Sequence, residues 1–204
     1  MPRYGFLFTG VLKEETPTCR DNSYGGCKPT TRKGCGEWRS IFRFSGSKCE
    51  LNSDFEQGPS RDETYFSNIH EVDLIYLTGG DPKHLLETLY QTPFMAAITE
   101  SVSKGATLAG SSAGAMVLGS RMRFKKWMPA IGLISNTAVL PHHENSIPET
   151  VLSENQSELQ SGIELIGIDS ATGVFLGDNG VKIAGKGKAI FYSGSTYKII
   201  ESAS

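Results

Sequence analysis

The sequence predicts an α/β fold in which a mostly parallel sheet, flanked by helices, is completed by antiparallel strands near the C-terminus. From Ile69 onward, apolar strand-like runs alternate with helical patterns, as they do in parallel sheets with right-handed crossovers. After Gly162, short apolar runs separated by turn residues are typical of antiparallel strands. The chain has 204 residues, of which 38% are hydrophobic and 21% charged, and this is enough for one such domain with its own core.

We therefore expect a single domain over residues 1–204, made of a loop-rich segment, 1–68, and a core, 69–204. The loop-rich segment has many turn-forming residues and few periodic apolar patterns. It also holds all four cysteines of the chain: Cys19, Cys27, Cys35 and Cys49. Since no two of them form a CxxC pair, free thiols are favoured over a zinc site, and a disulfide is left open for a secreted chain.

Charge and hydropathy argue against several classes of partner. The formal net charge of −2 gives no electrostatic case for binding nucleic acid. No apolar run approaches the roughly 18 to 20 residues that a bilayer span requires. Residues 1–11 also lack the long apolar stretch and cleavage site of a secretory signal. We expect a cytoplasmic protein with neither a nucleic-acid nor a membrane partner.

The first part of the core carries clear local signals of a strand and two helices. Val72–Thr78 is a continuous apolar run closed by two glycines, which predicts a strand buried on both faces. Asp81 is a good N-cap and Pro82 suits the first helical turn, so a helix is expected to follow. A second helix is predicted over Pro93–Lys104, with Gly105 at its C-terminal end.

The rest of the core alternates in the same way before the pattern changes. A short strand is predicted at Ala106–Ala109, a helix at Ala113–Ser120 and another strand at Thr137–Leu140. The five short strands predicted in the last third are Glu164–Ile168, Thr172–Leu176, Lys182–Ala184, Lys188–Tyr192 and Tyr197–Ile200.

The strongest chemical signal is a Gly-x-Ser-x-Gly motif at Gly110–Gly114. Between a strand and a helix, this motif makes a sharp turn that holds its serine in a strained conformation with the hydroxyl exposed. Ser112 is therefore a candidate nucleophile, and the backbone N–H of Ala113 is a candidate donor to a developing negative charge. The alternative interpretation is a turn of small residues that only lets a helix and a sheet pack closely.

A serine nucleophile needs a base, and the chain has four histidines. His70 precedes its strand and lies away from the carboxyl end, where sites of α/β sheets form. His84 lies in the first turns of a predicted helix and stays a second candidate. His142 and His143 directly follow a predicted strand, which is where a base for Ser112 is expected.

Four segments together carry a family resemblance: Leu77–Pro82, Gly105–Gly119, Pro141–His142 and Ile166–Asp169. In order and spacing they resemble the dipeptidase E and cyanophycinase family of serine peptidases, over about residues 70 to 200. The resemblance implies a fold similar to that of class I glutamine amidotransferases. It also implies a nucleophile at Ser112, a general base at His142, and an oxyanion hole formed by the N–H groups of Gly80 and Ala113.

Chain order and residue type separate this family from its neighbours. An α/β-hydrolase has its histidine near the C-terminus, after the serine and the acid, but no histidine follows His143 here. A glutamine amidotransferase would need a cysteine at position 112, where this chain has Ser112. The dipeptidase-like order fits better.

The acid that should orient the histidine departs from the family pattern. The family commonly has a glutamate where this chain has Ser170. Asp169 is the nearest substitute and is the predicted acid, and Glu144 is a second candidate that would have to fold back to reach the histidine. Because the turn, the base and the oxyanion hole each contribute separately, we expect an active enzyme of reduced activity.

Arg121 and Arg123 are the candidate substrate-binding residues, because they belong to a cationic cluster directly after the predicted elbow helix. The resemblance implies cleavage next to aspartyl residues, and such a cluster would bind an acidic side chain or a substrate terminus. The alternative is a solvated turn between a helix and a strand. Residues 144–162 contain no arginine, which argues against strict aspartyl specificity.

The predicted function is that of a serine-type peptidase that hydrolyses short peptides, with aspartyl dipeptides among them, through an acyl-enzyme on Ser112. Its expected partner is a small peptide substrate, and a homodimer is left open because dimerisation is common in the family. No metal and no cofactor are expected, since the sequence has neither a ligand cluster nor a phosphate-binding motif. The alternatives are an esterase-like or amidase-like serine hydrolase, and a weakly active or non-catalytic relative that acts as a binding module.

Overall fold

The structure of the chain is a computed structural model that describes residues 66–177 and 180–202 in full and the strands at 7–9 and 42–44 by their backbone. The four cysteines, with most of the predicted loop-rich segment, lie outside the described residues.

The described elements follow in chain order. The strands are β1 Leu7–Thr9, β2 Phe42–Phe44, β3 Leu74–Leu77, β4 Thr107–Gly110, β5 Arg121–Phe124, β6 Lys126–Pro129, β7 Thr137–Pro141, β8 Glu164–Ile168, β9 Thr172–Gly177, β10 Gly180–Gly185, β11 Lys188–Ser193 and β12 Thr196–Glu201. The helices are α1 Pro82–Leu89, α2 Pro93–Ser103, α3 Ala113–Met116, α4 Pro148–Glu154 and α5 Gln156–Gln160, and a 3₁₀ helix covers Ser67–Glu71.

These strands form two larger sheets and one hairpin. The first sheet has six strands in the order β10-β9-β1-β4-β3-β2, and the second has four in the order β12-β11-β8-β7. In the first sheet β4 lies between β1 and β3 and is parallel to both. In the second sheet β7 and β8 are parallel. Strands β5 and β6 pair with each other as an antiparallel hairpin.

The mixed α/β class is confirmed, whereas the expected predominance of parallel strands is not. Among the described strands, three pairings are parallel and six are antiparallel. The reason is that short connections join β9 to β10 and β11 to β12, and strands joined by such connections must be antiparallel. Each of the three parallel pairings includes a strand that is followed by a predicted site residue: β4 in two of them, and β7 with β8 in the third.

Local sequence signals place most elements of the core correctly. The carboxylate of Asp81 accepts a hydrogen bond from the backbone N–H of His84 at 2.8 Å and caps α1, as predicted. Thr92 caps α2 by accepting from the N–H of Met95 at 3.2 Å. The first strand was expected to be buried on both faces, and in β3 the face of Ile75 and Leu77 is buried while the face of Leu74 and Tyr76 is half-buried.

The helix after the motif is shorter than predicted, since α3 ends at Met116 and not near Ser120. Beyond α3 the chain turns toward β7, where the N–H of Ser120 donates to the carbonyl of Thr137 at 2.8 Å. Gly119 also forms a parallel bridge with Ile134. These contacts to a neighbouring strand replace the hydrogen bonds that a longer helix would have made.

The main hydrophobic core is shared by the two larger sheets and the first three helices. Its buried residues come from strands of both sheets and include Ile75, Leu108, Val139, Ile166, Val174 and Ala189. A smaller cluster packs α4 and α5 onto the second sheet through Val151, Leu159, Leu165 and Tyr192. The shared core fixes β4 of the first sheet relative to β7 of the second. Within residues 66–177 and 180–202, no helix is long and apolar enough to cross a bilayer.

Candidate active site

Ser112 occupies the sharp turn between β4 and α3. Its φ of 48° and ψ of −113° lie in a region that residues with a side chain rarely adopt, at a cost of about 1 to 3 kcal/mol. The turn is held from both sides: the N–H of Ser111 donates to the carbonyl of Leu77 at 2.9 Å, and the N–H of Gly114 donates to the carbonyl of Ser111 at 2.8 Å. The backbone of Ser112 therefore has the strained elbow geometry that the motif predicts.

Two glycines make this turn sterically possible. A Cβ on Gly110 would lie 2.5 Å from the carbonyl of Gly114, and a Cβ on Gly114 would overlap the carbonyl oxygen of Leu77 in β3. The two interpretations of the motif are therefore compatible. The small residues let the helix and the sheet pack closely, and this close packing permits the strained position of Ser112.

His142 follows the last residue of β7 and faces the elbow. Its Nε2 lies 3.2 Å from the Oγ of Ser112, within hydrogen-bonding distance. Like Ser112, it has a positive φ, 56°, so both side chains project from strained backbone. The structure thus brings the predicted nucleophile and the predicted base together from two different sheets.

A second set of contacts lies behind His142. The Nδ1 of His142 is 3.5 Å from the Oγ of Ser170. Ser170 in turn donates to both oxygens of Glu144, from its hydroxyl at 2.8 Å and from its backbone N–H at 3.0 Å. A hydrogen bond from its own backbone N–H, followed by those from Ser170, lowers the pKa of the Glu144 carboxyl. Glu144 is therefore ionised at neutral pH and linked to His142 through Ser170.

Asp169, the predicted acid, is buried beside the start of β11. One of its carboxylate oxygens accepts a hydrogen bond from the backbone N–H of Lys188 at 3.2 Å. The charge of Asp169 acts on His143, whose pKa it pulls upward against the larger effect of burial. Along the hydrogen bonds described above, the carboxylate connected to His142 is that of Glu144. The assignment of Asp169 as the orienting acid stays a prediction.

His143 is built into the core, although it is adjacent to His142. It is only 4% exposed, and its Nε2 lies 2.7 Å from the hydroxyl of Tyr192. Burial lowers the pKa of His143 and raises the pKa of Tyr192 to about 12. Sequence reasoning missed this pair, because its partner lies 49 residues away on β11.

The two histidines that precede the motif lie on helices. His70, in the 3₁₀ helix, has its Nδ1 3.1 Å from the hydroxyl of Ser101 in α2. His84 is exposed in the first turn of α1. The histidine that the structure places at the elbow is His142.

The predicted oxyanion hole involves the backbone on either side of Ser112. Ala113 is the first residue of α3, and N–H groups at the start of a helix have no partner within it. On the other side, a Cβ on Gly79 would lie 3.3 Å from the Cβ of Ser112, so the loop that holds Gly79 and Gly80 borders the elbow. The roles of Gly80 and Ala113 stay predictions that this arrangement supports.

Arg121 and Arg123 lie on β5 and contact the helices that follow β7. Arg121 donates to Glu158 at 3.0 Å, and Arg123 contacts Glu154 at 3.5 Å and Asn155 at 3.2 Å. Where the alternative interpretation had a solvated turn, the structure has a β-hairpin, and the two guanidinium groups connect it to α4 and α5. These contacts favour a structural role over the predicted binding of substrate. In the described part of the chain, no group of three or more His, Cys, Asp or Glu residues is arranged to hold a metal ion.

A strained serine between a strand and a helix, in contact with a histidine, also occurs in serine hydrolases. The comparison with known proteins shows which family this chain belongs to. The chain belongs to Peptidase family S51, whose sequence profile matches residues 43–184.

Several relatives support this family. The chain is 28% identical over 172 residues to a cyanophycinase of Geminocystis herdmanii, covering 76% of this chain and 62% of that protein. It is 26% identical over 144 residues to Peptidase E of Shewanella amazonensis, covering 64% of this chain and 61% of that protein. The crystal structure of a peptidase from an acI-B1 Actinobacterium matches with a TM-score of 0.58 and 26% identity over 71% of this chain and 63% of that one. The chain spans less than two thirds of each of these relatives.

Proposed function

We propose that this chain is a serine-type peptidase that hydrolyses short peptides through an acyl-enzyme on Ser112. The observation that carries the proposal is the 3.2 Å contact between Nε2 of His142 and Oγ of Ser112. A serine hydroxyl is a weak nucleophile until an adjacent base accepts its proton, and this contact supplies the base. Membership of a peptidase family supports an amide bond as the bond that is cleaved.

The first half of the reaction forms the acyl-enzyme. The Oγ of Ser112 attacks the scissile carbonyl carbon while its proton passes to Nε2 of His142. The negative charge that develops on the carbonyl oxygen is stabilised by the backbone N–H groups of Ala113 and Gly80. The C–N bond then breaks, and the amine leaves with the proton from His142.

The second half returns the enzyme to its starting state. A water molecule gives one proton to His142 and attacks the acyl carbon, the bond to Ser112 breaks, and Ser112 recovers the proton from His142 as the carboxylic acid leaves. Because His142 is exposed and Ser112 half-buried, substrate and water reach the pair from solvent.

The substrate class that we propose is short peptides without an absolute requirement for an aspartyl residue. Arg121 and Arg123, which were to recognise an acidic group, contact Glu158 and Glu154 instead. A panel of Asp-X, β-Asp-X and non-acidic dipeptides, together with simple esters, measures this preference directly. At least tenfold higher kcat/KM on Asp-X than on the other peptides would contradict the proposal, and turnover of esters alone would favour the esterase alternative.

The nucleophile is tested with a fluorophosphonate probe, which labels activated serines whatever the natural substrate. We expect wild-type protein to be labelled at Ser112, and Ser112→Ala to lose labelling together with at least about 10³-fold of kcat. Ser103→Ala, which removes an exposed hydroxyl on α2, serves as the matched control and should behave as wild type. Unlabelled wild-type protein without hydrolytic activity would contradict the proposal and favour a binding module.

A further inference from the structure

We propose that Ser170 connects the carboxylate of Glu144 to His142, so that Ser170 and Glu144 act together as positioning residues for the base. The inference rests on the proposed function and concerns the third part of its site. Three contacts carry it. One joins His142 to the hydroxyl of Ser170, and the other two join Ser170 to the two oxygens of Glu144.

The direction of these hydrogen bonds follows from simple proton counting. An ionised carboxylate only accepts hydrogen bonds, so the single hydroxyl proton of Ser170 goes to Glu144, at 2.8 Å. The Oγ of Ser170 then presents a lone pair to Nδ1 of His142, at 3.5 Å. A neutral imidazole that donates from Nδ1 has an unprotonated Nε2. This series of hydrogen bonds from His142 through Ser170 to Glu144, called the relay below, therefore selects the tautomer in which Nε2 can accept the proton of Ser112.

The geometry of Glu144 is fixed at both of its oxygens. The backbone N–H and the hydroxyl of Ser170 bind one oxygen each, which orients the carboxylate although it lies only two residues after His142. The two loops that carry these groups are held side by side, because the N–H of His143 donates to the carbonyl of Ile168 at 3.1 Å. The glutamate thus folds back through a bridging hydroxyl and does not need to reach the imidazole itself.

The expected size of the effect is moderate. A carboxylate bonded directly to the histidine of a serine protease contributes about 10⁴-fold to kcat. Here the carboxylate is solvent-exposed and one hydroxyl further away, where water screens its charge. We expect loss of either group to lower the rate at which Ser112 reacts by about 10- to 100-fold, which is less than loss of a direct contact.

The test measures the second-order rate of fluorophosphonate labelling at Ser112 at neutral pH in full-length protein. The variants are Ser170→Ala, Glu144→Gln, their combination, and Ser170→Thr, which retains a hydroxyl. Glu149→Gln is the matched control, because Glu149 is another exposed carboxylate that accepts a hydroxyl hydrogen bond, from Tyr197 at 2.8 Å. Circular dichroism shows in each case whether the variant is folded.

We expect each single loss to slow labelling by a similar factor and the combination to be no slower, because residues that act as one unit are not additive. Ser170→Thr should label faster than Ser170→Ala, because it retains the hydroxyl, and Glu149→Gln should label at the wild-type rate.

Three results would contradict the inference, and they distinguish its failure from that of the proposed function. If Ser170→Ala and Glu144→Gln, both folded, label at the wild-type rate while Ser112→Ala does not label, the relay is wrong and the serine peptidase stands. Effects that add in the combined variant would also overturn the relay. If wild-type protein neither labels nor hydrolyses peptides, the proposed function fails, and the relay with it.

Discussion

His142 and His143 are consecutive residues with opposite environments. His142 is exposed at the end of β7 and touches Ser112, whereas His143 is buried against Tyr192. The space around His143 is tight, since a Cβ on Gly167 of β8 would overlap its imidazole ring. One histidine is therefore available for proton transfer, and the other forms part of the packing that holds the first in place.

The buried state of His143 makes folding stability depend on pH. Burial lowers the pKa of His143 in the folded protein, so below about pH 6.5 the unfolded chain binds a proton that the folded chain does not. Stability should fall as the pH drops through this range, with a slope of up to about 1.4 kcal/mol per pH unit.

Urea unfolding between pH 8 and 5 measures this contribution when wild type is compared with His143→Phe. The variant cannot titrate at this position, so its stability should change less steeply between pH 6.5 and 5 than that of wild type. Parallel curves for the two proteins would show that His143 does not carry the pH dependence.

At the scale of elements, the sequence predicted the start of a helix correctly where neighbouring residues alone determine it. The caps at Asp81 and Thr92 and the prolines that follow them fix the starts of α1 and α2. The hairpin β5–β6 was missed, because its turn has Lys125 at a φ of 61°, where no glycine or asparagine marks it. Helices α4 and α5 were missed as well, and in neither does a side chain cap the start.

The residues of the candidate site also differ in whether the local sequence could predict them. The motif predicted Ser112, and the strand end predicted a base at His142 or His143, of which the family resemblance selected His142. The contact of Ser170 with Glu144 depends on the parallel pairing of β7 with β8, where Pro141 lies opposite Ile168. That register is a tertiary property, so sequence reasoning could nominate Glu144 but not the bridging hydroxyl.

The close approach of α3 to the backbone of β3 at Gly114 predicts that a larger residue at this position destabilises the protein. Gly114→Ala would place a methyl group on the carbonyl of Leu77, so we expect a loss of about 3 kcal/mol in unfolding free energy. Displacement of the elbow should also reduce fluorophosphonate labelling at Ser112 in the fraction that remains folded.

Gly162→Ala provides the matched comparison for Gly114→Ala. A methyl group there meets no atom within 4 Å, but φ is +89°, so only backbone strain of about 1 kcal/mol is expected. Equal losses for the two variants, measured by urea unfolding, would show that contact with β3 is not what restricts position 114.

At the scale of the whole molecule, the contact between Ser112 and His142 joins the two larger sheets. Ser112 follows β4 of the six-stranded sheet, and His142 follows β7 of the four-stranded sheet. Both sheets contribute buried residues to the same main core, for example Val174 from β9 and Val139 from β7. The site therefore exists only while the two sheets are packed together, which is the physical basis for expecting one domain.

We expect the two sheets to unfold as one cooperative unit, so that labelling of Ser112 and the circular dichroism signal are lost at the same urea concentration. Val139→Ala and Val174→Ala are matched variants, because both valines are fully buried in the main core and lie on different sheets. Each should cost about 2 kcal/mol and shift both midpoints together. Loss of labelling at a lower urea concentration than the circular dichroism signal, or a shift of only one midpoint in either variant, would mean that the sheets unfold separately.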